Sequence, residues 1–571
     1  MSIEKLITEH LDIWTAADTE KKSGRGRSSG NAGSVYGIKK LRELILELAV
    51  RGKLVPQDAR DEPASELLKR IAAEKAKLIA EGKIKKSKPL AEITDDEKPF
   101  ELPIGWEWVR NGSIFNLRKG RIPKNLSENK IGLPYLDIEA LDKGIIRRYS
   151  DDLTSPQATS NDILVVCDGS RSGLVLKGKV GIIGSTLSII DTPDFIQPYV
   201  TLIFRQSYER LNSTMKGAAI PHLDIQRLIL EVIGLPPISE QHRIVAKVDE
   251  LMALCDQLEN QHNNAAEAHE KLVTHLLGTL TQSQNAENFN SHWQRISEHF
   301  DTLFTTEASI DALKQTLLQL AVMGKLVPQD PNDEPASELL KRIQAEKAKL
   351  IAEGKIKKDK PLAEITEEEK PFDLPHNWTL VRLSDITSIR GGGTPSMAKS
   401  EYWGGQILWV SPKDMHNGII VDSELKITDK ALKESNLELV PVGSILIVGR
   451  SGILKRKLPA QITAVPCTVN QDIKAVTPIK PLSDRYMQLI FWGNEKEILI
   501  RDVKQGTTVQ SLVYDSLFSR SFSLPPVNEQ HRIVAKVDEL MAICDHLKSR
   551  LTEANQLQQK LADVLVEQAV N

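Results

Sequence analysis

At 571 residues the chain is too long for one hydrophobic core and is expected to divide into about three or four units. With 40% apolar and 26% charged residues it has a water-soluble composition, and no run approaches the ~20 consecutive apolar residues of a membrane span. The net charge of -3 excludes a uniformly basic nucleic-acid binder, but the average hides a partition. Residues 107–234 carry 16 Lys or Arg against 14 Asp or Glu, residues 379–523 carry 18 against 14, and residues 240–323 carry 5 against 12. Contact with phosphate is therefore expected on the two mildly basic segments and not on the acidic one between them.

In chain order, residues 1–35 read as an N-terminal extension: a short helix within the first 20 residues, then the Gly- and Ser-rich linker Lys21–Ser34. The opening lacks a long apolar core with a cleavage site, so no signal peptide is expected. Cys167, Cys255, Cys467 and Cys544 stand singly, without CxxC spacing, and are expected in the core, which fits a reducing cytoplasm.

Residues 36–105 form the first repeated helical region. Leu48–Trp106 returns as Leu320–Trp378 with 49 of 59 positions identical, a period of 272. Within it Pro63 and Pro335 mark a helix start and Gly82 and Gly354 its stop. The lysines Lys83, Lys85, Lys86 and Lys88 then read as an exposed connector.

Residues 106–234 change character to short strand-like runs such as Ile163–Cys167. Residues 235–377 are a central repeated helical spacer, residues 378–523 a second strand-rich domain, and residues 524–571 a C-terminal repeated helix. The spacer opens with Leu235–Leu258, which recurs as Leu524–Leu547 with four differences in twenty-four positions and a period of 289. Ile244, Val248, Leu251, Cys255 and Leu258 alternate steps of four and three. Ile533, Val537, Leu540, Cys544 and Leu547 do the same, and the pattern extends through Leu551, Ala554 and Leu557. That spacing predicts a coiled-coil seam. Such long periods point to a duplicated two-domain unit.

Few motifs carry chemistry. Gly173–Lys179 has the GxxxxGK spacing of a phosphate-binding loop, but Val180 stands where a Ser or Thr hydroxyl is required, and strand-like flanks replace the strand-to-helix turn. No methyltransferase signature accompanies the prolines of the repeated LPPI and LPPV. The twelve histidines show no metal-ligand spacing, and His242 and His531 fall on a helix surface. The loop Gly391–Ser396, GGGTPS, between Arg390 and Lys399, offers a backbone able to approach another molecule closely.

Two LPPxxEQxRIV helices, GGGTPS…EYWGGQILWVS, and two unlike domains between like helices together resemble the specificity subunit of type I restriction-modification enzymes. The resemblance covers nearly the whole chain. It implies an α+β fold of two mixed, strand-rich target recognition domains joined by long antiparallel coiled-coil helices, with internal duplication and pseudo-twofold symmetry. It also implies a non-catalytic reader of a split, asymmetric site on double-stranded DNA. Two modification subunits, holding S-adenosylmethionine and methylating adenine, would dock on the repeated helices, and two ATP-dependent restriction subunits, with Mg, would join them. No cofactor or metal is expected in this chain. The rival readings are a stand-alone methyltransferase or NTPase, and a helical scaffold that reads no DNA.

Arg and Lys suit guanine edges and phosphate, Asn and Gln adenine edges. The expected DNA contacts in the first domain are Lys119, Arg121, Lys124, Arg171, Lys177, Lys216 and His222. In the second they are Arg390, Thr394, Lys399, Arg450, Lys455, Arg456, Gln471, Lys504 and Gln510. Gln241, Arg243, Gln530 and Arg532 are assigned to partner docking, with intramolecular structure as the alternative. A rigid helical spacer would convert residue count into base-pair spacing.

Overall fold

The computed structural model describes residues 3–16, 35–81, 89–213, 222–284, 286–358, 362–370, 372–416, 418–506 and 509–570. The chain forms two compact units, one of Met1–Ala266 with Ala554–Asn571, the other of Glu267–Glu553. Among the described residues no helix is long and apolar enough to cross a membrane.

The first unit opens with α1 (Ile3–Glu9) and α2 (Leu11–Ala16). These bury Ile3, Leu6, Ile7 and the whole of Trp14, whose indole N–H donates to the Leu6 carbonyl at 3.3 Å. Helix α3 (Tyr36–Val50) buries Ile38, Leu41, Leu44, Ile45, Leu48 and Ala49, the i, i+3, i+4 stripe of a helix packed on one side. Gly52 ends it with φ +69°, and a Cβ there would strike Pro103 and Trp106. Helix α4 (Ala64–Ala80), entered at Pro63, buries only Ala64, Leu67 and Ile71.

The strand-rich domain is clasped shut by β1 (Glu107–Arg110) and β10 (Val232–Leu235), antiparallel from Glu107 opposite Leu235 to Arg110 opposite Val232. Between them lie two four-stranded sheets. One has the order β2 (Asn116–Lys119), β9 (Leu187–Asp191), β6 (Ile163–Val166), β7 (Val175–Lys177). The other is β4 (Tyr149–Ser150), β3 (Leu133–Leu136), β8 (Gly181–Ile183), β5 (Gln157–Ala158), with β3 parallel to β8. All four residues of β6 are buried, which explains its unbroken apolar run. Helix α5 (Gln197–Ser213) inserts Tyr199, Leu202, Ile203 and Phe204 into the core shared with α3. The GLVLKGK stretch is strand β7 and the turn before β8, where Gly173, at φ +91°, lies against Leu211 and Gly178 against the Thr159 and Asp162 carbonyls.

Helix α6 (Ile238–Gln282) begins in this unit and ends in the second. There α7 (Ala286–Glu298), α8 (Phe300–Leu303), α9 (Glu307–Val322) and α10 (Ala336–Ala352) rebuild the helical frame. The second domain is clasped by β11 (Thr379–Arg382) and β23 (Ser521–Leu524). Its main sheet has the order β12 (Thr387–Gly391), β20 (Ile473–Pro478), β16 (Ile445–Val448), β18 (Ala460–Thr463), β14 (Ile419–Ile420). A second sheet is β15 (Leu425–Ile427), β13 (Trp403–Val410), β19 (Cys467–Val469), and a third is β17 (Arg450–Ser451), β22 (Gln510–Leu512), β21 (Val503–Lys504). Helix α11 (Asp484–Gly493) lies against α9 and β18, and α12 (Val527–Val570) closes the chain.

Each unit pairs the start of one long helix with the end of the other. Ile244, Val248, Leu251 and Cys255 of α6 share a core with Ala562, Leu565 and Val566 of α12. Val273, Leu277 and Leu280 of α6 share one with Leu540, Cys544 and Leu551 of α12. All four cysteines are free and buried.

One expectation changes. The seam does not continue past Leu551: Ala554 and Leu557 are exposed, and burial resumes at Ala562, eleven residues or about three turns on. The helix changes neighbours there, and burial resumes on nearly the same face. The short helix expected within the first 20 residues is present as α1 and α2, packed into the core, while residues 17–34, the linker among them, lie outside the described residues. Ile7, Glu9, His10 and Asp12 recur 289 residues later as Ile296, Glu298, His299 and Asp301, and α1 with α2 fill the role of α7 with α8. The linker then shifts the period to 272, and the larger second domain restores 289.

Candidate nucleic-acid interface

The repeated letters are explained first by how each domain is fixed to its frame. The Trp106 indole N–H donates to Glu240 at 3.0 Å and the Gln57 amide to its other oxygen at 3.2 Å. In the second unit Trp378 donates to Glu529 at 3.0 Å and Gln329 at 2.7 Å. Burial raises the pKa of both glutamates above the usual carboxylate range. The Tyr199 hydroxyl donates to Gly234 at 3.0 Å and the Tyr486 hydroxyl to Ser523 at 3.4 Å, tying each domain to its exit strand.

The same frame consumes residues assigned above to partner docking. Gln241 and Gln530 are buried and donate to the Pro236 and Pro525 carbonyls at 2.9 and 3.0 Å. Gln530 also accepts the Ser483 backbone N–H at 3.1 Å. Arg243 and Arg532 pair with Asp61 and Asp333 at 2.6 and 2.7 Å, and the Arg532 hydrogen bond lowers the pKa of Asp333. The two buried glutamines offer no surface to a partner and hold the chain together, as the alternative reading had it, whereas Arg243 and Arg532 remain about a third exposed beside their carboxylates.

In the first domain Lys119, at the end of β2, lies 3.4 Å from Asp168, and the His222 Nδ1 is 2.7 Å from the same carboxylate. Arg121 donates to Ser155 and Thr154 at 3.1 and 2.6 Å and is half exposed. Lys124 and Lys177 are exposed, while Arg171 is held by Asp142 at 2.8 Å, which lowers the pKa of that carboxylate. Lys216 lies outside the described residues. The domain thus gathers Lys119 and His222 on Asp168, a residue that sequence reading did not single out.

In the second domain Arg390 is directed inward, donating to the Thr477 hydroxyl at 3.1 Å and lying 3.5 Å from Glu438. Gly392 does not hold the backbone open for another molecule. A Cβ there would lie 2.1 Å from the Val469 and Asn470 carbonyl oxygens, so the glycine seats the loop on β19. The Trp409 indole N–H donates to Gly393 at 2.9 Å, fixing the next residue too. Thr394 donates its hydroxyl to Gln471, both exposed, and Lys399 donates to the Tyr402 hydroxyl at 2.7 Å, which raises its own pKa.

Arg450, Lys455, Arg456 and Lys504 are exposed. Gln510 is not: it is fully buried and donates to the Gly506 carbonyl at 2.9 Å, so its alternation on β22 aims it at the core and away from any base. Arg110 and Arg382, each about 6% exposed, were not anticipated. They fork onto the connector through Glu97 and Glu369 at 2.8 and 2.9 Å and through the Ala91 and Ala363 carbonyls. The lysines at 83, 85, 86 and 88 lie outside the described residues.

Two unlike strand-rich domains, each clasped at its base by matching strands and fastened to near-identical helical frames, define a duplicated two-site reader. The description "Type I restriction modification DNA specificity domain" matches residues 103–268 and 375–558, and the chain belongs to that family. It is 41% identical over 608 residues to the type I restriction enzyme EcoAI specificity subunit of Escherichia coli, spanning 100% of both chains. It is 39% identical over 603 residues to the EcoEI specificity subunit of Escherichia coli, again spanning 100% of both. A solved structure of the HsdS subunit from Thermoanaerobacter tengcongensis aligns with 83% of this chain and 98% of that one, at 19% identity and a TM-score of 0.37.

Proposed function

We propose that the chain is the DNA-reading subunit of a type I restriction-modification complex, each strand-rich domain binding one half of a split, asymmetric site. It directs adenine methylation and restriction carried out by partner subunits and has no catalytic centre of its own. The observation that carries this reading is the contrast within one duplication. The frames keep the Trp–Glu–Gln fastening with the same partners and the same 3.0 Å Trp–Glu distance, while the domains differ in sheet number and strand order. A frame held constant around diverging inserts is what two different half-sites and one kind of partner require.

Partner docking falls on the repeated helices. Helix α4 exposes Glu66, Lys69, Arg70, Ala73, Ala76 and Lys77, and the corresponding positions of α10 carry the same residues, also exposed. Even the ion pairs recur, Lys69 with Glu66 and Lys341 with Glu338, both at 2.7 Å. Packing constrains only the buried positions of such a helix, so identity on its outer face supports two copies of one partner, the modification subunit. S-adenosylmethionine, ATP and Mg belong to the partners.

Footprinting the chain with its modification subunits on genomic DNA tests the reading. Two protected patches separated by an unprotected gap are expected. One continuous patch, or no protection, contradicts it.

A further inference from the structure

The two domains place opposite charges at one equivalent position of the candidate DNA-facing ladder. In the first domain the Leu223 N–H donates to the Cys167 carbonyl at 2.8 Å, and Asp168 bridges His222. In the second the Leu512 N–H donates to the Gly449 carbonyl at 2.8 Å, and Arg450 pairs with Ser511. The hydrogen bonds align Asp168 with Arg450, although the shared RSG letters pair Arg450 with Arg171.

Arg450 is set apart in three ways. Residues 379–523 contain seven arginines, and five lie against a carboxylate: Arg382, Arg390, Arg485, Arg501 and Arg520. Among the described residues Arg450 and Arg456 have no such partner, and they flank the 3-10 turn Gly452–Lys455. Arg450 is also rigidly mounted. Gly449 before it is pressed against the Tyr514 hydroxyl so closely that no Cβ fits, and its N–H donates to Asp472 at 2.7 Å. The Ser451 hydroxyl after it accepts from Ile453 and caps the turn. Finally, Ser511 lies opposite both Arg450 and Lys504, so these two cations project from one face of the sheet, about 10 Å apart at two strand spacings.

A guanidinium on a fixed backbone presents a planar fork that matches the two acceptors of a guanine edge, whereas flexible ammonium groups suit phosphate. Resting on the DNA-reading function proposed above, we propose that Arg450 reads a guanine in the half-site of the second domain, while Lys504 and the Lys455–Lys457 run hold the adjacent phosphates. In the first domain the equivalent place is acidic, with Lys119 and His222 gathered on Asp168, so its half-site is read by different groups.

The test is the set of methylated sites in a host carrying the full chain with its modification subunit, determined by sequencing. A wild-type chain that yields no split methylated motif defeats the functional reading itself. Given that motif, Arg450→Ala and Arg450→Lys are expected to relax one guanine position in one half, losing roughly 5- to 150-fold discrimination there. The other half stays unchanged. Lys504→Ala is expected to weaken binding on every sequence and to make the salt dependence shallower by about one unit, with the motif intact.

An unchanged motif in both Arg450 variants overturns the proposal, as does relaxation in both halves. Should Arg450→Ala methylate nothing, binding of its complex to duplexes with single-base changes in the wild-type site decides. Insensitivity at one guanine supports the proposal, and undiminished discrimination at every position overturns it.

Discussion

Replacing Glu240 by Ala tests the fastening of domain to frame. The substitution leaves the Trp106 indole N–H, on a residue 6% exposed, without the acceptor it has at 3.0 Å, and releases the Gln57 amide at 3.2 Å. A buried donor left unpartnered costs about 1–3 kcal/mol, and the second, weaker bond adds up to about 1 kcal/mol, so a loss of about 1–4 kcal/mol is expected. Urea unfolding followed by tryptophan fluorescence measures it, and Glu529→Ala provides an internal replicate, because Trp378 and Gln329 repeat the geometry. Losses below about 0.5 kcal/mol in both variants would refute the reasoning.

The Gln variant adds a pH signature. Burial raises the pKa of Glu240 in the folded chain, so the favoured form is the protonated one. The stability this carboxyl contributes is fully present below its unfolded pKa of about 4.3 and is lost as pH rises through the higher folded value. Glu240→Gln does not titrate, so its stability relative to wild type should improve across that window. A gap that stays flat, or narrows in the opposite direction, contradicts the assignment.

Trp14→Ala should destabilise the chain by about 3–5 kcal/mol in thermal or urea unfolding, because the side chain is fully buried; a surface-like change would show that α1 and α2 are not part of the core. Gly392→Ala drives a Cβ to 2.1 Å from two carbonyl oxygens and should cost about 1–3 kcal/mol or more, whereas the same change at Gly354, with open space around it, meets no such contact but carries the strain of φ +68°. Inserting four residues within the exposed middle of α6 adds about 6 Å of helix and should lengthen the unspecified gap by one or two base pairs with both half-sites intact; altered half-sites would refute the ruler idea.

Much of the frame was legible because helices write their packing as a period. Ile244, Val248, Leu251 and Cys255 are buried where the four-three alternation put them. Leu557, three residues after Ala554 where the alternation calls for four, is exposed, and the letters carry no record of which neighbour a long helix has along its length. Gln241 and Arg243 looked like surface recognition because they recur verbatim, yet repetition marks any duplicated requirement, and here it was hydrogen bonding within each unit. The GGGTPS loop misled for a related reason: a glycine needed for close approach does not say to what, and the approach is to β19. Asp168 went unnoticed because its role depends on His222, 54 positions away, which only the ladder brings to it.

The central claim is that each insert reads its own half-site on an interchangeable frame. A chain in which residues 379–523 are replaced by a second copy of residues 107–234, expressed with the modification subunit, tests it most directly by sequencing of the methylated sites. The account predicts a split motif whose two halves are the same, both equal to the half read by the first domain. Retention of the original asymmetric motif, or a change in the half contributed by the untouched domain, would contradict it.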